Sequence, residues 1–275
     1  MLVSQFYLVG LEFSMFEKNA EIIIDIVNLN TVFGQSIVHE NLNLQIYKGE
    51  VLGIVGGSGS GKTTLIREIL MLTKPKSGSI NVLNKDLASL SVVEQQKLSQ
   101  NWAMMFQDGA LFTSLTVLEN VSFPLQEFTQ LRPSLIREIA LYKLSMVKFP
   151  LDLADLYLSE LSGGMIKRAA LARAIALDAQ ILFLDEPTAG LDPESAASLD
   201  ELILHLKNLL KLTVIIITHD IDTLWRVTDR VAFIGEKRVL AIDSIDKLCM
   251  SSHPLLQAYF TGPRGRVAAL QHKMV

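Results

Sequence analysis

Residues 56–63 read GGSGSGKT, an unbroken match to G-x-x-x-x-G-K-[ST]. An aliphatic run, VLGIV at 51–55, leads into it, and a helical pattern, TTLIREILML, follows. That order of strand, glycine loop and helix lets Gly56, Gly57, Ser58, Gly59, Ser60 and Gly61 turn backbone N–H groups onto phosphate oxygens, helped by the positive end of the helix. Lys62 then suits the β and γ phosphates, the Thr63 hydroxyl suits Mg²⁺, and Thr64 suits the α phosphate. A flexible glycine-serine turn that happens to hold a lysine is the plainer alternative, and it leaves the flanking strand and helix unexplained.

A second group of residues suits water activation. ILFLDEP at 181–187 puts Asp185 and Glu186 where a buried strand leaves its sheet, the edge at which open α/β sheets bind ligands. Asp185 fits a Mg²⁺ ligand, direct or through water, and Glu186 a general base for the attacking water. Solvated acids at a strand end would look the same in isolation, but these stand in a chain that also carries a phosphate loop. The next aliphatic run, TVIII at 213–217, ends in Thr218, His219 and Asp220, so a neutral imidazole at His219 can reach the γ phosphate and orient the water. His39, His205, His253 and His272 have no such placement and receive no role.

These side chains need a scaffold, and the chain is long enough to supply one. With 275 residues and 49% hydrophobic content, one domain with an inserted subdomain is the default. Twenty-five Lys plus Arg against 29 Asp plus Glu leave a net charge of −4, so no basic field points to a nucleic-acid partner. The single cysteine, Cys249, suits a reducing compartment. No aliphatic run approaches the roughly 18 to 20 residues a membrane helix needs, and the chain is expected not to span a bilayer. The apolar start has no Lys or Arg ahead of its apolar part, carries Glu12 and lacks a small-residue cleavage pattern, so residues 1–20 read as an N-terminal extension rather than a signal peptide.

Along the chain, residues 22–27, 42–47 and 79–83 have strand patterns that suit an antiparallel sheet. The continuous aliphatic runs at 51–55, 181–184 and 213–217 suit strands buried on both faces, and SAASLDELILHLKNLL lies between the last two as a helix. Strand, helix and strand in that order imply a parallel sheet with right-handed crossovers. Residues 108–161 turn mostly helical, LIREIALYKLSMV most clearly, and 230–234 with 238–242 form a terminal hairpin.

One stretch remains: LSELSGGMIKRAALARA at 158–174 opens a helix with a second glycine turn. Ser162 can cap that helix, Gly163 and Gly164 allow close backbone approach, and the helix N-terminus offers unpaired N–H donors to an anion. An ordinary capped helix is the alternative. With GGSGSGKT, LSGGM, ILFLDE and THD in this order, the sequence resembles the ATP-binding subunits of ABC transporters over about residues 22–242.

The resemblance implies an α/β fold: a P-loop (RecA-like) core sheet, an antiparallel β subdomain and an inserted α-helical subdomain at about 108–165. The ATP-binding domain would run 21–245, with a C-terminal tail at 246–275. It implies ATP and Mg²⁺ as cofactors and further roles by position. Gln107 matches the Q-loop glutamine that reaches Mg²⁺ and relays nucleotide state to the helical subdomain. Asp192 matches the D-loop aspartate that crosses to a partner subunit, and Phe33 the aromatic that stacks on adenine, although an aromatic at a strand end is also often core. Ser162, Gly163 and Gly164 match the signature that faces the γ phosphate held by a second copy of the chain, in an ATP-sandwich homodimer.

FQDGALFTSLTVLENVSFPLQEFTQL, the signature ending in Met165, RAALARAIALDAQ and YFTGPRGRVAA narrow the resemblance to the MlaF-type ATPases of bacterial phospholipid transport. That implies a MlaE-type integral membrane permease, an MCE-domain substrate-binding protein and a small accessory cytoplasmic subunit as partners, at the cytoplasmic face of the bacterial inner membrane. A different ABC importer or exporter stays open as an alternative. So does a soluble ABC ATPase acting on nucleic acid or ribosomes, though neither a long coiled-coil insertion nor a second cassette is present.

Overall fold

A computed structural model describes residues 21–260; the N-terminal extension and the end of the tail lie outside the described residues. The chain opens with β1 (Ile22–Phe33) and β2 (Ser36–Tyr47), then β3 (Val51–Val55), α1 (Lys62–Ile69), β4 (Ser77–Val82) and β5 (Lys85–Asp86). Next come α2 (Val92–Ser99), β6 (Trp102–Met105), α3 (Val117–Phe128), α4 (Pro133–Met146) and α5 (Gly163–Ala174). The remainder is β7 (Ile181–Asp185), α6 (Pro193–Leu210), β8 (Thr213–Ile217), α7 (Ile221–Val227), β9 (Arg230–Gly235), β10 (Arg238–Asp243), α8 (Ile245–Cys249) and α9 (Pro254–Phe260).

Two sheets result. The smaller is antiparallel, in the order β2-β1-β4-β5; the larger runs β10-β9-β3-β8-β7-β6 and is parallel except for its terminal β9–β10 hairpin. All five residues of β3 and of β8 are buried, as befits strands covered on both faces. Side chains alternate between two cores accordingly. Leu52, Ile54, Ile181, Phe183, Ile215 and Ile217 pack with α1 and the inner face of the small sheet. Val51, Leu182, Leu184, Val214 and Ile216 pack with α5, α6 and the α3–α4 pair. Each such aliphatic side chain contributes about 1.5–3 kcal/mol by leaving water.

A third cluster covers the outer end of the large sheet, where Leu248, Leu256 and Phe260 of α8 and α9 meet Val55 and Phe233. Among the described residues no helix is long and apolar enough to cross a membrane.

The helical insert is anchored by sequence-local chemistry. Thr116 and Glu119 form a capping box at the start of α3. Buried Asn120 then stitches the preceding loop: its amide donates to the carbonyls of Phe112 (3.0 Å) and Thr116 (2.9 Å), and its Oδ1 accepts from the Phe112 N–H at 2.8 Å. A buried amide with this many partners fixes a loop rather than merely tolerating it.

Two expectations needed revision. The strands expected at 22–27 and 42–47 are the outer parts of a twelve-residue pair, β1 and β2. The run WAMM, not read as a strand, forms β6 at the edge of the parallel sheet beside β7.

Candidate active site

Parallel pairing is what assembles the site. Because β3, β6, β7 and β8 run in one direction, their carboxyl ends deliver the loop from Gly56, the segment holding Gln107, the Asp185–Glu186 pair and Thr218–His219 to the same sheet edge. The loop of residues 56–61 keeps Gly56, Gly59 and Gly61 at positive φ, and α1 starts directly at Lys62. Thr63 and Thr64 therefore lie in the first turn, where backbone N–H groups have no intrahelical acceptor. The Lys62 ammonium donates to the carbonyls of Gly56 (2.9 Å) and Gly57 (3.1 Å), across the mouth of the loop.

Glu186 is the most constrained residue of the group. Its φ of 48° lies in the left-handed region, which costs a non-glycine residue about 1–2 kcal/mol. Several bonds hold it there. Its N–H donates to the Ile217 carbonyl (2.8 Å), and its carboxylate accepts from Thr218 Oγ1 (3.1 Å) and His219 Nδ1 (2.7 Å). Strain held by this many partners is characteristic of functional positions. The Glu186 side chain is largely buried, whereas His219 is 62% exposed, so the imidazole faces outward from an inward-anchored carboxylate.

Charge is unevenly compensated here. Burial and the neighbouring Glu186 carboxylate push the Asp185 carboxyl up, against the opposing pull of Lys62 and Arg67. Burial pushes the Lys62 ammonium down, while Glu186 and Asp185 counter it. A hydroxyl at Thr63, an amide oxygen at Gln107 and a carboxylate at Asp185 are all hard oxygen donors. A site with one carboxylate, completed by substrate phosphates, is the way Mg²⁺ is usually held. The residues present fit that ion.

Gln107 is exposed, and its backbone carbonyl accepts from the buried Lys167 ammonium of α5. Lys167 also reaches the Glu186 carbonyl at 3.5 Å, and burial pushes this ammonium down. Arg173, farther along α5, donates to the carbonyls of Ala110 (2.8 Å) and Gly109 (2.9 Å). Neither role was legible in the sequence: both basic residues sit in a helical pattern, and the carbonyls they share in the 107–110 segment lie 60 to 64 residues away.

Phe33 ends β1 with half its surface exposed, so it is not a core aromatic. Ser162 caps α5 by accepting the Met165 N–H at 3.3 Å. A Cβ added at Gly163 would meet Leu191 at 3.7 Å and one at Gly164 would meet Ser195 Oγ at 4.0 Å, so neither glycine is hemmed in. Asp192 caps α6, accepting from the N–H groups of Glu194 (3.1 Å) and Ser195 (3.0 Å). A groove of about 220 Å³ separates the two helix starts, lined by Gly164, Arg168, Leu191 and Ser195 among others.

Residues 39–189 match the family model described as ABC transporter. The chain belongs to the ABC transporter ATPases. This ABC ATPase is 41% identical over 229 residues to the Haemophilus influenzae intermembrane phospholipid transport system ATP-binding protein MlaF, covering 83% of the chain and 86% of that relative. It is 35% identical to the Mycobacterium leprae probable ribonucleotide transport ATP-binding protein mkl, covering 88% of the chain and 69% of mkl. Its fold matches the dimeric post-hydrolysis structure of the ATP-binding cassette MJ0796 bound to ADP and Pi, with a TM-score of 0.73 and 29% identity over 81% of this chain and 98% of that one. The ABC ATPase thus binds and hydrolyses ATP as the energy-converting subunit of a transporter, and its P-loop α/β fold is that of the family.

Proposed function

We propose that this ATPase drives phospholipid transport between bacterial membranes through a separate permease of the MlaE type, with an MCE-domain protein and a small accessory subunit in the same assembly. The observation that carries the lipid reading is the 41% identity to MlaF across most of both chains. A chain that reaches the inner membrane through such a permease works from its cytoplasmic face.

The site residues suggest how hydrolysis proceeds. Lys62 and the N–H groups of residues 56–61 bind the β and γ phosphates, Thr64 the α phosphate, and the exposed Phe33 stacks on adenine. Thr63, Gln107 and Asp185 would hold Mg²⁺, which would supply charge neutralisation at the phosphates. The Glu186 carboxylate takes a proton from water as the water oxygen bonds to the γ phosphorus and the bridging oxygen leaves with ADP. Thr218 and His219 hold that carboxylate in place, and the outward imidazole orients the water.

Ser162, Gly163, Gly164 and Asp192 serve the nucleotide of a second copy, which gives a use to a second glycine turn in a chain that already has a phosphate loop. The dimeric MJ0796 cassette supports this arrangement.

Reconstitution with the adjacent membrane subunit in vesicles, followed by ATP-dependent movement of a labelled phospholipid, tests the lipid reading. The likeness to mkl favours a second reading, transport of another substrate by the same ATPase. Coupled ATP hydrolysis that moves no lipid would select that one.

A further inference from the structure

His39, to which sequence patterns gave no role, is completely buried directly behind the phosphate loop. Its Nε2 lies 3.2 Å from the Gly61 carbonyl oxygen, and a Cβ at Gly61 would sit 2.4 Å from that nitrogen. On its other side, Nδ1 lies 2.9 Å from Thr31 Oγ1 and 3.3 Å from Glu68 Oε2. The Thr31 hydroxyl donates to Glu68 Oε1 at 2.7 Å. Thr31 and Glu68 are each 1% exposed, so this is a sealed polar cluster inside an otherwise aliphatic core.

The cluster joins three parts of the nucleotide site. Thr31 stands two residues before Phe33 on β1, His39 is on β2, and Glu68 is on α1, the helix that Lys62 opens. A carbonyl oxygen can only accept, so Nε2 donates to Gly61, while Nδ1 faces the Thr31 hydroxyl that donates to Glu68. A buried group of this kind is costly unless every member is satisfied, and plain aliphatic packing would fill the same space at less risk.

We propose that His39, fixed by Thr31 and Glu68, is a positioning residue for ATP binding: it holds the Gly61 peptide in its left-handed turn and locks the phosphate loop to the hairpin that carries Phe33. The proposal rests on residues 56–63 being the phosphate loop. Preorganising that loop lowers the ordering cost of binding, so the gain is read in ATP affinity.

The test is nucleotide titration of the full chain with thermal unfolding measured in parallel. The triple variant T31V/H39L/E68L replaces the cluster with apolar side chains. It is expected to keep a Tm close to the parent while its Kd for ATP rises about tenfold, the scale of one lost hydrogen bond in a charged setting. An unchanged Kd in a folded triple variant overturns the proposal. If the triple variant does not fold, His39→Gln is compared with His39→Leu. Gln carries an amide donor near the position of Nε2, so it should restore affinity over Leu at similar stability, and equal affinities in the two also overturn it. Lys62→Ala, run alongside, checks the loop itself: normal ATP binding there removes the phosphate-loop reading, whereas its loss with an unchanged triple variant removes only the role of His39.

Discussion

His219 Nδ1 lies 2.7 Å from Glu186 Oε1, joining the residues that follow two neighbouring parallel strands, β7 and β8. With the Thr218 hydroxyl on the other carboxylate oxygen, both oxygens of Glu186 are held from the same side. A carboxylate fixed in this way has both oxygens aimed by its neighbours, which suits the base role proposed for it.

Glu186→Gln keeps the shape and can still bond Thr218 and His219, but cannot take a proton. Steady-state hydrolysis should fall by roughly 10²- to 10⁴-fold, the usual contribution of a general base, while ATP affinity stays near the parent value. Turnover at the parent rate would assign the base elsewhere.

Gly164 has room. The nearest atom to an added Cβ is Ser195 Oγ at 4.0 Å, an ordinary contact, and its own chain does not require glycine there. Gly164 replaced by a bulky residue should therefore leave unfolding temperature and ATP binding by the monomer nearly unchanged, while ATP-dependent dimerisation and hydrolysis disappear. Light scattering with the hydrolysis-deficient Glu186→Gln background reads the dimer directly; parallel loss of monomer ATP binding would mean the signature acts within its own subunit.

Lys167→Met removes the ammonium that spans the Gln107 and Glu186 carbonyls yet fills a similar volume. Met keeps the buried stem packed, so the variant should fold, while kcat drops about tenfold, the scale of one charge-assisted hydrogen bond. A variant with parental kcat would show that this ammonium has no part in placing the Gln107 segment.

Asp200 is buried between α6 and α7, takes a hydrogen bond from Thr223 (3.1 Å) and pairs with Arg226 (3.5 Å), yet burial dominates and pushes its carboxyl from 3.8 up to about 6. The folded state thus binds this proton more tightly than the unfolded one. Stability contributed by the protonated group is present at low pH and declines as pH rises from about 4 to about 6, by about 3 kcal/mol in total. Asp200→Asn should accordingly gain on the parent across that window in thermal unfolding, and the gap should level off above it. A gap independent of pH would contradict the assignment.

The parts of the fold most legible in sequence were those with one dominant physical signal. β3 and β8 are unbroken aliphatic runs because both faces are covered, and their bounds coincide with those expected. The phosphate loop announced itself through glycines between a strand and a helix. β6 did not, since Ala and Met are weak strand formers and four residues give no period.

The β1–β2 hairpin was read short for a different reason. Asn28 and Asn41 take positive φ at register shifts, and amide groups of Asn43 and Asn30 bond the opposing backbone N–H groups at 2.9 and 3.0 Å. Four asparagines look like a turn in sequence, but here they repair bulges within a continuous pair. The His39 cluster was invisible because its members, at 31, 39 and 68, meet only through tertiary packing.

Three cations of α5 end on main-chain oxygens of two other segments: Lys167 at Gln107 and Arg173 at Gly109 and Ala110 in one, and Arg168 at Val147 (2.8 Å) in the other. Arg168 additionally binds Ser198 of α6 at 2.9 Å. The helix therefore works as a clamp rather than as a spacer: the Gln107 segment, the end of α4 and α6 are all fastened to one rod. Through Lys167 the same rod also reaches the Glu186 carbonyl at 3.5 Å, so the insert and the carboxylate share a fastening.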